Sequence, residues 1–149
     1  MGKLCVSEWI DAEPARVFGK MRDPECARDW MPGLTTMVVE PPGPLESGSK
    51  FRETRKMFGR EHTVEFDVLS VEEGQRIELA AIDCGVSYHF VQSVAPENNG
   101  TRLTLDGTME GGGFFARTMM KIMGPGMMRK ALAKDLAALK AYIEGENGG

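Results

Sequence analysis

Apolar residues recur with helical spacing from Gly126 to Glu144, near the end of the chain. They share one broad face of a helix, while the lysines and arginines lie elsewhere around it. Ala, Leu, Lys and Met are strong helix formers, so residue propensity agrees with the spacing. The apolar face consists of Met128, Ala131, Leu132, Leu136, Leu139, Tyr142 and Ile143. A helix of about 19 residues is roughly 28 Å long, and a sheet is needed to cover its apolar face.

One acidic residue, Asp135, interrupts this apolar face close to its centre. A carboxylate that faces a sheet without a partner costs several kcal/mol. We therefore expect Asp135 to bind a specific partner. Arg55 is the first choice, and Tyr88 or a group on a ligand is the alternative.

A strand and two short helices are predicted at the start of the chain. Lys3–Asp11 contains the β-branched and aromatic residues of a strand and ends at an Ala-Glu-Pro break. The first helix runs to Met21, and the second covers Glu25–Trp30; each has a proline near its start.

Between Leu34 and Glu110 the apolar residues alternate with polar ones, which is typical of half-buried strands. Short turns separate six such runs, and consecutive strands joined by short turns form an antiparallel meander. The runs are 35–40, Lys50–Phe58, Glu61–Val71, Arg76–Asp83, Val86–Val94 and Thr101–Glu110. With the first strand, they predict a sheet of about seven strands.

Alternation along these strands assigns one face of the sheet to the core. The apolar side chains on this face are those of Phe51, Phe66, Leu79, Phe90 and Leu105. The polar side chains on the same face are those of Glu53, Arg55, His62, Tyr88 and Gln92. A β-bulge in any of the long strands would reverse part of this assignment.

A further short helix is predicted between two glycine clusters, Gly111–Gly113 and Gly124–Gly126. Glycine accommodates large backbone rotations, and Pro125 interrupts helical hydrogen bonding. Methionines in and after this segment provide a soft wall that can repack around different ligands. We expect the segment either to gate an internal cavity or to fill gaps in the core.

The composition is that of an ordinary soluble domain: 149 residues, 42% apolar and 27% charged. A net charge of −4 argues against a nucleic-acid-binding surface. No apolar run approaches the roughly 20 residues of a membrane span, and the N-terminal stretch has no secretory signal pattern. We therefore expect a cytoplasmic protein with a single domain over residues 1–149 that neither binds nucleic acid nor spans a membrane.

The cysteines predict reduced thiols and no metal site. Cys5, Cys26 and Cys84 are far apart in the sequence, with neither CxxC nor Cys/His ligand spacing. No Ser-His-Asp or Cys-His order, phosphate-binding loop or HxxE-type spacing occurs either. The sequence therefore indicates no cofactor.

Several stretches, in this order, resemble the START-like superfamily, also called SRPBCC or helix-grip proteins, and within it the bacterial polyketide cyclase/dehydrase group. The opening helices resemble that group in DAEPARVFGKMRDPECARDWMPG, the turn into the last strand in NNGTRLTL, and the closing helix in KALAKDLAALKAYIE. The resemblance extends from about Lys3 to Glu144. It implies an α+β helix-grip fold, in which a curved antiparallel sheet of about seven strands wraps around a long C-terminal helix, with two short helices after the first strand.

The resemblance also implies a ligand cavity between the sheet and the long helix. We expect a volume of about 300–1,000 Å³, the usual range for ligand sites. The alternative is a packed core with Glu53 and Arg55 at an open edge in water. The expected ligand-binding residues are Trp30, Phe51, Glu53, Arg55, His62, Phe66, Leu79, Tyr88, Phe90, Gln92, Leu105, Met119, Met123, Met128, Leu132 and Asp135.

The superfamily includes lipid carriers, hormone receptors, aromatase/cyclases and co-chaperone activators, so the resemblance implies no single function. The preferred hypothesis is binding or carriage of a hydrophobic or aromatic small molecule. The second is a cyclase or dehydratase acting on a polyketide-like substrate, in which a neutral His62 or Tyr88 moves a proton beside Arg55. The third is a co-chaperone-like interaction module, favoured if the cavity is filled. Whether the chain forms a homodimer is left open.

Overall fold

The computed structural model describes residues 2–57, 59–111 and 113–147, without the side chains of residues 57, 114–125 and 147. The elements in chain order are β1 (Gly2–Ile10), α1 (Pro14–Met21), α2 (Pro24–Trp30), β2 (Leu34–Glu40), β3 (Lys50–Met57), β4 (Arg60–Glu72), β5 (Arg76–Asp83), β6 (Val86–Glu97), β7 (Gly100–Gly111) and α3 (Phe114–Asn147). Their order confirms the predicted helix-grip arrangement, with two short helices after the first strand and a helix at the C-terminal end.

The strands form one seven-stranded sheet in the order β1-β7-β6-β5-β4-β3-β2. All neighbouring strands are antiparallel. Each strand from β2 to β7 pairs with its neighbour in sequence because the connecting turns are short. β1 completes the sheet against β7. The predicted antiparallel sheet is therefore confirmed.

Alternation along the strands correctly predicts the buried face. Leu103 and Leu105 of β7 are buried, and so are Ile77 and Leu79 of β5. Among the long strands, the alternation changes in β4, where the register with β5 shifts just after Val68. This β-bulge reverses the alternation. Beyond it, therefore, the odd-numbered positions of β4 face the core, whereas before it the even-numbered ones do.

The two short helices contact both the sheet and α3, so they close one side of the space between these layers. Proline occupies the first turn of each helix. A backbone N–H in this turn makes no hydrogen bond within the helix, so its absence in proline has no effect there. The Arg22 guanidinium after α1 donates to the Leu45 carbonyl at 2.9 Å. This contact ties the helix pair to the loop between β2 and β3.

Helix α3 covers the buried face of the sheet with Leu136, Leu139 and Ile143, none of them more than 6% exposed. The helix is longer than the sequence predicts, because it runs without a break from Phe114 to Asn147. The prediction of a separate short helix is wrong: the helix continues through Gly124-Pro125-Gly126. This tripeptide disfavours a helix, but good helix formers lie on both sides of it. Of the methionines on which the gate hypothesis depends, Met127 is 49% exposed and Met128 packs against the core. The side chains of Met119, Met120 and Met123 lie outside the described residues.

No helix within the described part of the chain has the length and apolar character needed to cross a bilayer.

Candidate functional site

A cavity of about 120 Å³ lies between the sheet, the helix pair and α3. The sequence predicts about 300–1,000 Å³, so the predicted volume is too large, although the space exceeds that of a single water molecule. Most of the wall is apolar. Of the predicted ligand-binding residues, those that line it are Trp30, Phe51, Glu53, Arg55, Phe66, Leu79, Phe90, Gln92, Leu105, Leu132 and Asp135.

Stacked aromatic rings explain why the cavity is smaller than expected. The Phe51 and Phe66 rings stack with their centroids 4.9 Å apart, and the Phe66 and Phe90 centroids are 6.5 Å apart. Phe66 reaches Phe90 across β5 because its partner in that strand is the small Ala81. Phe90 itself lies over Gly107, where an added Cβ would be 2.9 Å from its ring. These close approaches let the rings occupy part of the predicted volume.

Three predicted residues with described side chains do not line the cavity. His62 shares the inward face of β4, but its side chain is 53% exposed and contacts Asp83. Tyr88 stacks against Phe90, with centroids 5.9 Å apart, and packs against the core instead of the cavity. Met128 likewise packs against the core. The strand and helix faces are correct for these residues, but they lie too far along their elements. The side chains of Met119 and Met123 lie outside the described residues.

Ten other residues line the cavity that the sequence did not predict to bind a ligand. Leu103, Leu136 and Leu139 could have been found, since they share a face with Leu105 or Leu132, which are on the predicted list. The others come from the helix pair, β2 and the loop after it, where no periodicity indicates orientation towards a cavity. These are Met21, Asp23, Pro24, Ala27, Met31, Met37 and Leu45.

Charged side chains from β3 and α3 form a cluster in the cavity wall. Arg55 Nη1 donates to Asp135 Oδ1 at 2.9 Å, and Arg55 Nη2 lies 3.5 Å from Glu53 Oε2. The three side chains are only 12–21% exposed. The predicted pairing of Asp135 with Arg55 is therefore confirmed. We refer to Glu53, Arg55 and Asp135 as the charged cluster.

Burial raises the pKa of Glu53 above its ordinary value of 4.5. The charge on Arg55 opposes this shift, and the negative charge of Asp135 reinforces it. Desolvation is the largest cause because an ionised carboxylate loses hydration when it is buried. Glu53 therefore protonates more readily than an ordinary exposed glutamate.

Trp30 contributes another polar group to the cavity lining. Its indole N–H is buried and has no hydrogen-bond partner among the described residues. Leaving a buried donor unpaired costs about 1–3 kcal/mol. A ligand with an acceptor oxygen within reach of this N–H would recover part of that free energy.

Residues 1–144 match the family model described as polyketide cyclase / dehydrase and lipid transport. The chain belongs to this family. The match confirms the resemblance identified from the opening helices, the last turn and the closing helix. A comparison with curated proteins finds no match. The family description includes both enzymes and carriers, so membership supports ligand binding or cyclase chemistry in general terms.

Solved structures of similar fold agree with this family assignment. TTHA0849 from Thermus thermophilus is 17% identical with a TM-score of 0.76, over 97% of this chain and 99% of that one. Ara h 8.0201 is 12% identical with a TM-score of 0.71, over 97% and 98%. DynU16, a protein of the dynemicin biosynthetic locus, is 17% identical with a TM-score of 0.71, over 95% of this chain and 47% of that one. At these identities the comparisons show the fold alone.

The raised pKa of Glu53 predicts a pH-dependent effect of Glu53→Gln. The folded state holds the Glu53 proton more tightly than the unfolded state, so this group favours folding most below its ordinary pKa. Its contribution falls as pH rises through the folded-state pKa. Glutamine mimics the neutral acid, so the stability of Glu53→Gln relative to wild type should increase from about pH 4 to about pH 7.

Urea unfolding at several pH values measures this difference. Glu65→Gln, at an exposed position on β4, controls for the loss of one negative charge. A relative stability of Glu53→Gln that falls as pH rises would contradict the direction of the shift.

Proposed function

We propose that the protein binds an uncharged aromatic or otherwise apolar small molecule in the cavity between the sheet and α3. A polar group of this ligand contacts the charged cluster. The observation that carries the proposal is the combination of a mostly apolar wall with one buried group of charges. Binding sites for small molecules have this character, since apolar walls supply affinity and a few polar groups supply orientation.

The charge of the cluster supports an uncharged ligand. With both carboxylates ionised, Glu53, Arg55 and Asp135 sum to −1, and protonation of Glu53 brings the sum to zero. Arg55 is already paired with both carboxylates, so it is not free to neutralise an anion. Burying a further negative charge there would cost several kcal/mol. A hydroxyl or carbonyl group avoids this cost and can exchange hydrogen bonds with the cluster.

The size of the cavity limits what it holds without rearrangement. An apolar cavity of about 150 Å³ takes up benzene, so about 120 Å³ accommodates roughly one ring. Met21, Met31 and Met37 line the side formed by the helix pair and β2. Methionine is unbranched and adapts to irregular shapes, so larger ligands should extend on that side.

A titration of the full chain with p-cresol, toluene and benzoate tests the proposal. The three compounds share one ring but differ in polarity and charge. We expect p-cresol to bind more tightly than toluene, by about tenfold, because its hydroxyl hydrogen-bonds with charged groups. Benzoate should bind most weakly. NMR chemical-shift changes measure all three affinities, and tightest binding by benzoate, or binding by none, would contradict the proposal.

A cyclase or dehydratase acting on a polyketide-like substrate is the second candidate, supported by the raised pKa of Glu53 beside Arg55. In this mechanism a neutral Glu53 donates the proton, and Arg55, whose one charged partner is then Asp135, stabilises charge on a carbonyl oxygen. Glu53 replaces His62 and Tyr88 in this role because neither of those side chains lines the cavity. Glu53→Gln separates the two functions in assays with aromatic polyketides. If Glu53→Gln binds the polyketide as tightly as wild type but no longer converts it, the protein is an enzyme. If wild type and variant both bind without turnover, the protein is a carrier.

A further inference from the structure

A histidine, an aspartate and a cysteine come together at one end of the sheet, outside the cavity wall. His62 lies near the start of β4, Asp83 is the last residue of β5, and Cys84 follows in the turn to β6. The candidate ligand atoms of the three side chains lie within 4.8 Å of one another. No other such group of His, Cys, Asp and Glu occurs in the described part of the chain.

The atoms of this group are close to the separations found between metal ligands, although not at them. His62 Nε2 is 2.7 Å from Asp83 Oδ2, and Cys84 Sγ is 3.9 Å from Asp83 Oδ1. Zinc binds nitrogen and oxygen ligands at about 2.0–2.2 Å and sulfur at about 2.3 Å, so tetrahedral ligands are roughly 3.3–3.8 Å apart. His62 and Cys84 are exposed, and Asp83 is partly exposed. Side-chain rotations can therefore bring the three atoms to these separations without unpacking the core.

The backbone holds Cys84 beside Asp83. Cys84 has a φ of 52°, in the left-handed region that a residue with a side chain seldom adopts, and Gly85 follows with a φ of 79°. This tight turn reverses the chain between β5 and β6. It keeps the thiol next to the last carboxylate of β5. His62, four residues before Phe66 on β4, contacts the same carboxylate at 2.7 Å.

We propose that His62, Asp83 and Cys84 form a site for a borderline-soft divalent cation such as Zn²⁺. The ligands are the Nε2 atom of neutral His62, one carboxylate oxygen of Asp83 and the thiolate of Cys84. Binding releases the thiol proton to solvent. A thiolate and an imidazole favour zinc over magnesium or calcium, which take oxygen ligands. Three protein ligands leave the fourth tetrahedral position for water or another small ligand.

This site is separate from the proposed ligand cavity but adjacent to it. His62 is the register partner of Arg55, across the pairing of β3 with β4. Cation binding here requires no ligand in the cavity, so the two proposals can succeed or fail independently. The sequence shows no metal motif because His62 and Asp83 are 21 positions apart.

A Co²⁺ titration of the full chain after removal of metals by a chelator tests the site. We expect one Co²⁺ per chain, with a thiolate-to-cobalt charge-transfer band that Zn²⁺ abolishes by displacing cobalt. Cys84→Ser should lose the band, while Cys5→Ser and Cys26→Ser should keep it. His62→Ala and Asp83→Asn should weaken binding by about tenfold or more. Absence of the band in wild type, or its persistence in Cys84→Ser, would overturn the proposal.

Alkylation of the wild-type protein provides a second readout that needs no variant. Cys5 and Cys84 are both exposed, so iodoacetamide should modify both when metal is absent. Zn²⁺ should protect Cys84 and leave Cys5 reactive, as measured by peptide mass spectrometry. Equal modification of Cys84 with and without Zn²⁺ would exclude the site even if the variants failed to fold.

Discussion

Replacing Arg55 with methionine should lower the free energy of unfolding by about 3–5 kcal/mol at neutral pH. Methionine has a similar length but no charge, so Glu53 and Asp135 would be left facing each other without a cation. Both carboxylates are largely buried, with side chains 12% and 15% exposed, so water screens them poorly. Urea unfolding monitored by circular dichroism measures the loss.

Two further variants separate the loss of charge pairing from the loss of packing. Adding Glu53→Gln and Asp135→Asn to Arg55→Met removes the unpaired charges and should restore most of the stability. Arg52→Met is the matched control on the same strand, since Arg52 is 52% exposed and lies 3.8 Å from an exposed glutamate. It should change stability by no more than about 0.5 kcal/mol. An equally small effect of Arg55→Met would show that the cluster is not desolvated.

Leu139→Ala should destabilise the protein by about 2–5 kcal/mol and yet bind larger aromatic ligands more tightly. Leu139 is 1% exposed and lines the cavity, so truncation adds empty apolar volume to it. The lost side-chain contacts reduce stability, while the new space accepts a second ring. Titration with 1-naphthol should show tighter binding to the variant than to wild type. Urea unfolding without ligand measures the loss of stability.

Ile143→Ala is the control for this experiment. Ile143 lies on the same helix and is 0% exposed, but it does not line the cavity. Its truncation should cost a similar free energy of unfolding without improving the affinity for 1-naphthol. An equal gain in affinity for 1-naphthol in both variants would show that the ligand enters because the core is generally loosened, and not because the cavity is larger.

The pairing of Asp135 with Arg55 was predictable as the first choice because side-chain periodicity places both residues on facing surfaces, although the sequence left Tyr88 or a ligand group as the alternative. Residues two apart on a strand share a face, so Glu53 and Arg55 had to point the same way. Helical spacing places Asp135 in the middle of the face that covers the sheet. Opposite charges on two facing buried surfaces then have to pair, since leaving them unpaired costs several kcal/mol.

Position along a strand was not predictable in the same way. His62 and Phe66 share a face of β4, but four residues span about 13 Å. That distance takes His62 from the cavity into solvent beside Asp83. Alternation identifies the face of the sheet and carries no information about where the cavity ends. The pattern along a single strand also could not reveal that His62 contacts Asp83, because the two residues are on different strands, β4 and β5.

The volume of the cavity and the length of α3 depend on details that residue patterns do not contain. Phe51 and Phe66 stack as register partners on β3 and β4. Phe66 and Phe90 approach each other because Ala81 and Gly107 leave room for them. That arrangement is set by strand register and rotamers. In α3, the Gly-Pro-Gly sequence lowers helix propensity locally, but the helix is continuous because the residues before and after it are good helix formers.

Intermolecular NOEs test most directly whether the cavity between the sheet and α3 holds the ligand. With methyl-labelled protein and p-cresol, ring protons of the ligand should show NOEs to the cavity-lining Leu79, Leu105 and Leu132. Leu69 and Ile82, which are 49% and 77% exposed, should show none. NOEs to these two residues without any to the cavity-lining leucines would contradict the account.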